Sequence, residues 1–153
     1  MALQDSLRMA TYDPNSVIQH FRFEEVNNAT IQNSCLLINN YCGKAIDVPA
    51  GSEKEGDRII IWDRNKRWNQ RWIFQKVGSV HLIKSVMNGL CLDIAGESRD
   101  NGAKIVQWPQ TGGTNQLWLI QPAGEDLFKI WSYHEPSLCL ALRKQEGSDG
   151  TYL

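Results

Sequence analysis

The sequence predicts an all-β fold built from a repeated unit, and three observations carry that reading. The phrase NQRWIF at Asn69–Phe74 returns as NQLWLI at Asn115–Ile120, a shift of 46 residues. Short runs of four to six residues, rich in Ile, Val, Leu and Trp, alternate with turn compositions such as PAGSEKEGD, AGESRDNGA and PQTGGT. No stretch sustains a helical period for three turns; QDSLRMATYD is the nearest candidate and carries too little apolar face. Regular short strands divided by such turns point to a barrel or a sandwich.

The repeat is longer than the phrase that reveals it. The same shift pairs Asp47 with Asp93, Gly56 with Gly102, Ile59 with Ile105, Trp62 with Trp108, Asn69 with Asn115, Gln70 with Gln116 and Trp72 with Trp118, without a gap. A fixed period of this kind marks one supersecondary unit used repeatedly. Units of about fifty residues or fewer rarely bury enough surface to fold alone, so neighbouring copies are expected to share a core.

Four strands are predicted between residues 36 and 78 (AIDV, IIIW and RWIF among them) and four between 80 and 124 (VHLIK, CLDI, KIVQW, LWLI). Within the last strand of each unit, Gln70 and Trp72, like Gln116 and Trp118, are read as alternating on one strand and facing the same way, with the Trp in the core. The third unit begins well, FKIWS matching HLIKS and LCLAL matching LCLDI, and then runs out of chain. Its missing strands resemble RMAT at Arg8–Thr11 and VIQHFRF at Val17–Phe23, which set Gln19 opposite Gln116, Phe21 opposite Trp118 and Met9 opposite Val106. The N-terminal segment is therefore expected to complete the third unit, as in a circular permutation. The rival is an N-terminal tail, with the barrel left open or closed by a second chain through domain swapping; an open edge would be an aggregation hazard.

Composition sets limits on function. With 42% hydrophobic residues, 22% charged residues and a net charge of −1 over 153 residues, the chain reads as one globular domain with no electrostatic preference for nucleic acid or membranes. The opening MALQDSLRMATYDPNSV has neither a secretory pattern nor an apolar span, so a cytoplasmic protein is expected, with unconventional secretion as the alternative. Cys91 and Cys139 occupy equivalent places in two units, where Ala45 stands in the other, and are read as buried reduced thiols; Cys35 and Cys42 are near enough in sequence to pair across a turn.

The stretches GKAIDVPAGSEKEGDRIIIWDRNKRWNQRW and GLCLDIAGESRDNGAKIVQWPQTGGTNQLW resemble the repeat of the ricin B-type (QxW) lectin family: a Leu-Asp-Val type strand, a Gly-containing turn, an apolar strand ending in Trp, and a closing Gln-x-Trp. The resemblance implies a β-trefoil of three four-stranded repeats, here one domain over 1–153 with repeat one at 36–78, repeat two at 80–124 and repeat three at 126–153 plus 7–25. It implies a carbohydrate-binding lectin for galactose or N-acetylgalactosamine-type glycans, without catalysis, cofactor or metal. The family's disulfide is not expected, because Gln110 and Arg64 stand near the second cysteine's place.

Two sites follow from the same motifs. Asp47 and Asp93 lie in the middle of apolar strands, where an unpaired charge is costly. A pyranose offers vicinal hydroxyls that want charged acceptors and amide donors, and an apolar face that wants an aromatic ring. By resemblance, Asp47 and Asp93 accept from sugar hydroxyls, Asn69 and Asn115 bond one of them, Gln70 and Gln116 steady the carboxylates, and Trp62 and Trp108 stack. The plainer alternative is a turn-capping Asp beside a core Trp. Many such lectins carry a polar residue two before the stacking Trp, where this chain has Ile60 and Val106. In the third unit Ala141, Ile18 and Thr11 stand where Asp, Asn and Trp would be, so no site is expected there. The basic run RNKRWNQR beside the first site is read as a solvated loop, with a preference for acidic glycans as the sharper reading.

Two sites on one body would make the protein multivalent towards glycoconjugates, and a homodimer is a further arrangement the sequence allows. An enzyme is not expected: His20, His81 and His134 lack metal-ligand spacing, and the two carboxylates belong to separate repeats. The alternative function is a trefoil that presents a protein surface, such as a protease inhibitor or a toxin targeting domain.

Overall fold

The computed structural model of the protein describes residues 5–11, 19–25, 34–65 and 67–142. Twelve strands follow one another: β1 (Asp5–Thr11), β2 (Phe21–Glu25), β3 (Ser34–Asn39), β4 (Ala45–Asp47), β5 (Ile60–Trp62), β6 (Trp72–Val77), β7 (Val80–Ser85), β8 (Cys91–Ile94), β9 (Ile105–Trp108), β10 (Trp118–Pro122), β11 (Phe128–Ser132) and β12 (Leu138–Leu142). Among the described residues there is no α-helix, only single 3-10 turns such as Pro49–Gly51, Trp68–Gln70, Ala95–Glu97 and Thr114–Gln116. The segment QDSLRMAT, with too little apolar face for a helix, is strand β1 over most of its length.

Strand pairing has threefold logic. β4 pairs with β5 and β8 with β9, and the third pair of this type joins the two ends of the chain, β12 with β1, from Leu7 opposite Leu142 to Thr11 opposite Leu138. Long hairpins β6–β7 and β10–β11 have their counterpart in β2–β3, from Phe21 opposite Asn39 to Glu25 opposite Cys35. Around the axis β1, β5 and β9 touch one another: Ser6 pairs with Ile60, Arg58 with Val106 and Arg8 with Lys104. This arrangement is a β-trefoil. All the strands join one sheet, so the described edges are paired within the chain. Of the N-terminal match, Val17 and Ile18 lie outside the described residues, as do residues 143–153 of the expected third repeat.

The register shifts one sequence expectation by a residue. Trp62 faces Ala45 and Trp108 faces Cys91, while in the third unit the residue facing Cys139 is Ala10. Spacing alone put Thr11 at that place, because the loop from β1 to Gln19 is one residue longer than its counterparts. A hydrogen bond fixes the correct register: Gln70 Nε2 donates to the carbonyl of Asp63 (2.9 Å), Gln116 Nε2 to that of Pro109 (2.8 Å) and Gln19 Nε2 to that of Thr11 (2.8 Å), in each case the residue following the Trp position.

Trp72, Trp118 and Phe21 are fully buried at equivalent places in the core, with Leu37, Ile46, Ile83, Leu92, Ile130 and Leu140 around them. Each indole N–H donates to a backbone carbonyl of the Asp-bearing strand, Trp72 to Ile46 (3.0 Å) and Trp118 to Leu92 (3.1 Å). These Trp residues are scaffold, as expected. The glutamines differ from expectation: Gln70 and Gln116 lie in the 3-10 turns before β6 and β10, not on the strands. The tight turn carries their amides back towards the preceding loop, which an extended backbone would not. None of the four cysteines forms a disulfide; Cys35, Cys91 and Cys139 are buried and Cys42 is half-buried, and burial raises the Cys139 thiol to about 11.

Because Phe21 fills one of the three equivalent core places, Trp118→Phe is expected to cost about 2 kcal/mol, chiefly by stranding the Leu92 carbonyl. Trp118→Ala is expected to cost about 4 kcal/mol through the cavity it opens. Urea unfolding of both variants checks this; a Trp118→Phe variant as stable as the parent would contradict the role given to the indole N–H.

Candidate functional site

Alternation along β4 and β8 separates core from site. Ile46 and Val48 point into the hydrophobic core, as do Leu92 and Ile94, so Asp47 and Asp93 face the other way. After each Asp the chain turns sharply through two consecutive left-handed residues, Ala50 (φ 52°) and Gly51 (φ 66°) in the first repeat, Gly96 (φ 64°) and Glu97 (φ 55°) in the second. In each turn one of the pair is not glycine and holds a strained backbone. Both turns border hollows.

The first hollow, about 550 Å³, brings together Asp47, Trp62 and Asn69, with Ile60, which pairs opposite Asp47 on β5, also in its wall. Asp47 Oδ2 accepts from Gln70 Nε2 (2.8 Å) and from Asn69 Nδ2 (3.1 Å), and the Asn69 amide also reaches the Val48 carbonyl (3.2 Å). Gln70 is fixed in turn by the Asn65 N–H, which donates to its Oε1 (2.9 Å). Four residues that the motif did not single out complete the walls: Asn65, Arg67, Trp68 and Met87. Trp68 is 46% exposed, with the Arg71 guanidinium 5.6 Å from its ring centre.

The second hollow, about 440 Å³, gathers Asp93, Val106, Trp108 and Asn115, joined by Glu97 and Thr111. Gln116 Nε2 donates to Asp93 Oδ2 (2.8 Å), and the Thr111 N–H donates to Gln116 Oε1 (3.0 Å), repeating the first clamp. Trp108 is 40% exposed, and its ring rests on Gly56 of the first repeat. There φ is +86°, and a Cβ would stand 3.4 Å from the indole, so both backbone and space favour glycine.

The asparagines part ways. Asn69 is half-buried, whereas Asn115 is buried, its Nδ2 on the Ile94 carbonyl (3.2 Å) and its Oδ1 without a hydrogen-bond partner. A Cβ at Gly113 would fall 2.5 Å from that Oδ1, so the second loop packs down over its asparagine in a way the side-chain-bearing Arg67 does not. Equivalence at the level of residue type therefore hides a difference in access. Asn65, Trp68 and Glu97 carried no repeated signal, because their counterparts are Thr111, Thr114 and Gly51. In the third unit Ala141 and Ala10 are buried and Arg8 stands opposite Ala141, so neither carboxylate nor indole occupies those places; Ile18 lies outside the described residues.

Neither Asp47 nor Asp93 has an ion-pair partner among the described residues. Burial pushes Asp47 up to about 6, against the pull of the Gln70 and Asn69 bonds. Burial raises Asp93 as well, opposed by Gln116 and Asn115 and assisted by the negative charge of Glu97. Near pH 7 the Gln70 and Asn69 amides thus hold an ionised Asp47 oxygen that burial disfavours.

A threefold β-trefoil with an Asp, Trp, Asn and Gln set in two of its lobes defines a lectin-type fold. The chain belongs to the family of ricin-type beta-trefoil lectin domain-like proteins, whose model matches residues 68–153. Among solved structures it is similar to ThreeFoil, a designed 3-fold symmetric protein, at 27% identity and a TM-score of 0.74, over 78% of this chain and 85% of that one. It is similar to 1,3Gal43A, an exo-β-1,3-galactanase from Clostridium thermocellum, at 23% identity and a TM-score of 0.66, over 84% of this chain but only 30% of the galactanase. The C-half of an earthworm R-type lectin, solved in complex with GalNAc, matches at 18% identity and a TM-score of 0.50, over 85% of this chain and 92% of that one. No curated protein sequence matches the chain.

The raised Asp47 gives stability a definite pH dependence. Protonation favours the folded state, so this contribution is present below the unfolded value near 4 and is lost as pH rises through about 6. Asp47→Asn is therefore expected to be more stable than the parent at pH 8, by about 2 kcal/mol, and to lose that advantage by about pH 4. Denaturant unfolding at the two pH values checks both the sign and the window.

Proposed function

We propose that the protein is a non-catalytic, carbohydrate-binding lectin with two sugar sites, one in each complete repeat, for galactose or N-acetylgalactosamine-type glycans. The observation that carries this reading is the repeated juxtaposition, in both hollows, of a carboxylate held by a glutamine amide and an indole of the same strand pair. Sugar hydroxyls would donate to the free lone pairs of Asp47 and Asp93, Asn69 and Asn115 would bond one of those hydroxyls, and Trp62 and Trp108 would stack on the apolar face of the ring. Gln70 and Gln116 position the acids. Ile60 and Val106, which pair opposite the acids and line the hollows, add apolar contact. The galacto-configured preference is supported by the earthworm lectin, solved in complex with GalNAc.

The feature common to both hollows is a binding set and not a pair of acids. The second hollow holds Asp93 and Glu97, but the first holds Asp47 alone, and two-carboxylate hydrolysis needs both. Two weak sites on one rigid body suit clustered glycans, since avidity gains of about a hundredfold follow where spacing fits. The same proposal takes repeat three as 126–153 plus 7–25, supported by the β12–β1 and β2–β11 pairings, and takes the protein as cytoplasmic, supported by the unbridged Cys91 and Cys139.

A glycan array with the parent and with the double variant Asp47→Ala, Asp93→Ala tests the reading. Galacto-configured glycans are expected to bind the parent and to lose at least about tenfold in the double variant; unchanged binding would remove these residues from the site. Hydroxyls donate to the carboxylate and not to the neutral acid, so binding by the Asp93→Ala single variant, which leaves only the first hollow, is expected to weaken as pH falls through about 6. Titration calorimetry at pH 5 and pH 7.5 reads this directly.

A further inference from the structure

We infer that the first hollow extends into a subsite for an anionic sugar residue, a hexose carrying a carboxylate or a sulfate, and that the second hollow disfavours the same group. The inference rests on the sugar-binding reading and adds charge and length to it. The two sites share their acid, indole and amides and differ at the rim. Arg67 and Trp68 line the first hollow, where Gly113 and Thr114 are the counterparts; Glu97 lines the second, where the counterpart is Gly51.

Arg67 is exposed at the mouth of the first hollow and makes no ion pair among the described residues. Its neighbours are committed elsewhere: Arg64 is paired with Glu24, and Arg71 lies over the Trp68 ring. A guanidinium offers a planar fork of donors that matches a carboxylate or a sulfate. Trp68 adds a second indole face, so the hollow has stacking surfaces for two successive rings, Trp62 beside Asp47 and Trp68 beside Arg67. The second hollow is built the other way. Gly113 leaves no room for a side chain above Asn115, Thr114 is tied through its hydroxyl to His134 Nδ1 (2.6 Å), and the Glu97 carboxylate adds a second negative charge beside Asp93.

The test uses three saccharides with one galacto-configured core: unmodified, bearing a terminal carboxylate, and bearing a sulfate ester. Each is titrated into Asp93→Asn, which reports the first hollow, and into Asp47→Asn, which reports the second, at low and high salt. Asp93→Asn is expected to bind the anionic forms about fivefold more tightly than the neutral core at low salt. That preference is expected to shrink at high salt and to vanish when Arg67→Gln is added. Asp47→Asn is expected to bind the anionic forms more weakly than the neutral core, and Glu97→Gln in that background to remove the discrimination. Preference for the carboxylate or the sulfate alone supports the subsite and identifies its anion. If Asp93→Asn binds all three saccharides alike, or keeps its preference without Arg67, the anionic subsite is overturned while sugar binding stands. If the parent binds none of the three, both readings fail.

Discussion

One amide in each complete repeat ties the molecule together. The Gln70 side chain donates to the Asp47 carboxylate and to the Asp63 carbonyl and accepts from the Asn65 N–H, so the Asp-bearing strand and the loop that precedes the glutamine are clamped together at a fully buried point. Gln116 does the same for Asp93, Pro109 and Thr111. Without that donor the Asp47 carboxylate would keep only the Asn69 amide against its lost hydration, and the loop leaving the Trp-bearing strand would lose its tie to the Asp-bearing one. Scaffold and site are joined at that amide: one face satisfies the backbone, the other orients an acid towards a hollow.

The third unit separates these two roles. Gln19 keeps the bond to the carbonyl after the Trp position, and Phe21 keeps the core place of Trp72 and Trp118, while the acid and the surface indole become Ala141 and Ala10. The clamp to the backbone is thus retained where the carboxylate is not. The backbone clamp is present at all three equivalent places of the frame. A hollow needs the acid and the indole as well, and these vary without loss of the frame.

The repeats also lend parts to one another. Gly56 of the first repeat packs under the Trp108 ring of the second hollow, and Met87 of the second repeat lines the first. Each site is thereby a property of the assembled trefoil, consistent with units too small to bury a core alone. Strained turns at Ala50 and Glu97 sit at the edges of the same hollows, where the surrounding sheet over-determines the backbone.

A good part of this was legible in the residues themselves. The period of 46, the short apolar runs and the Gln-x-Trp endings specify strands, repeats and buried indoles, because alternation and turn chemistry act over a few residues and repeat wherever the unit repeats. Asp47, Trp62, Asn69 and their counterparts stood out for the same reason. What the sequence left open depends on loops folding back across the chain. Register in the third unit was displaced by one residue because loop length, unlike pleat, has no period. The glutamines were placed on strands because a single 3-10 turn has no pattern long enough to announce itself. The basic run puts Arg67 and Trp68 beside the first site, but only the tertiary structure sets them, and Glu97, in the walls of the hollows, and the burial of Asn115 under Gly113 depends on a packing contact that residue type does not encode. Local pattern determines which frame the chain builds; the rims, which differ between repeats, are decided by tertiary contacts among residues that share no motif.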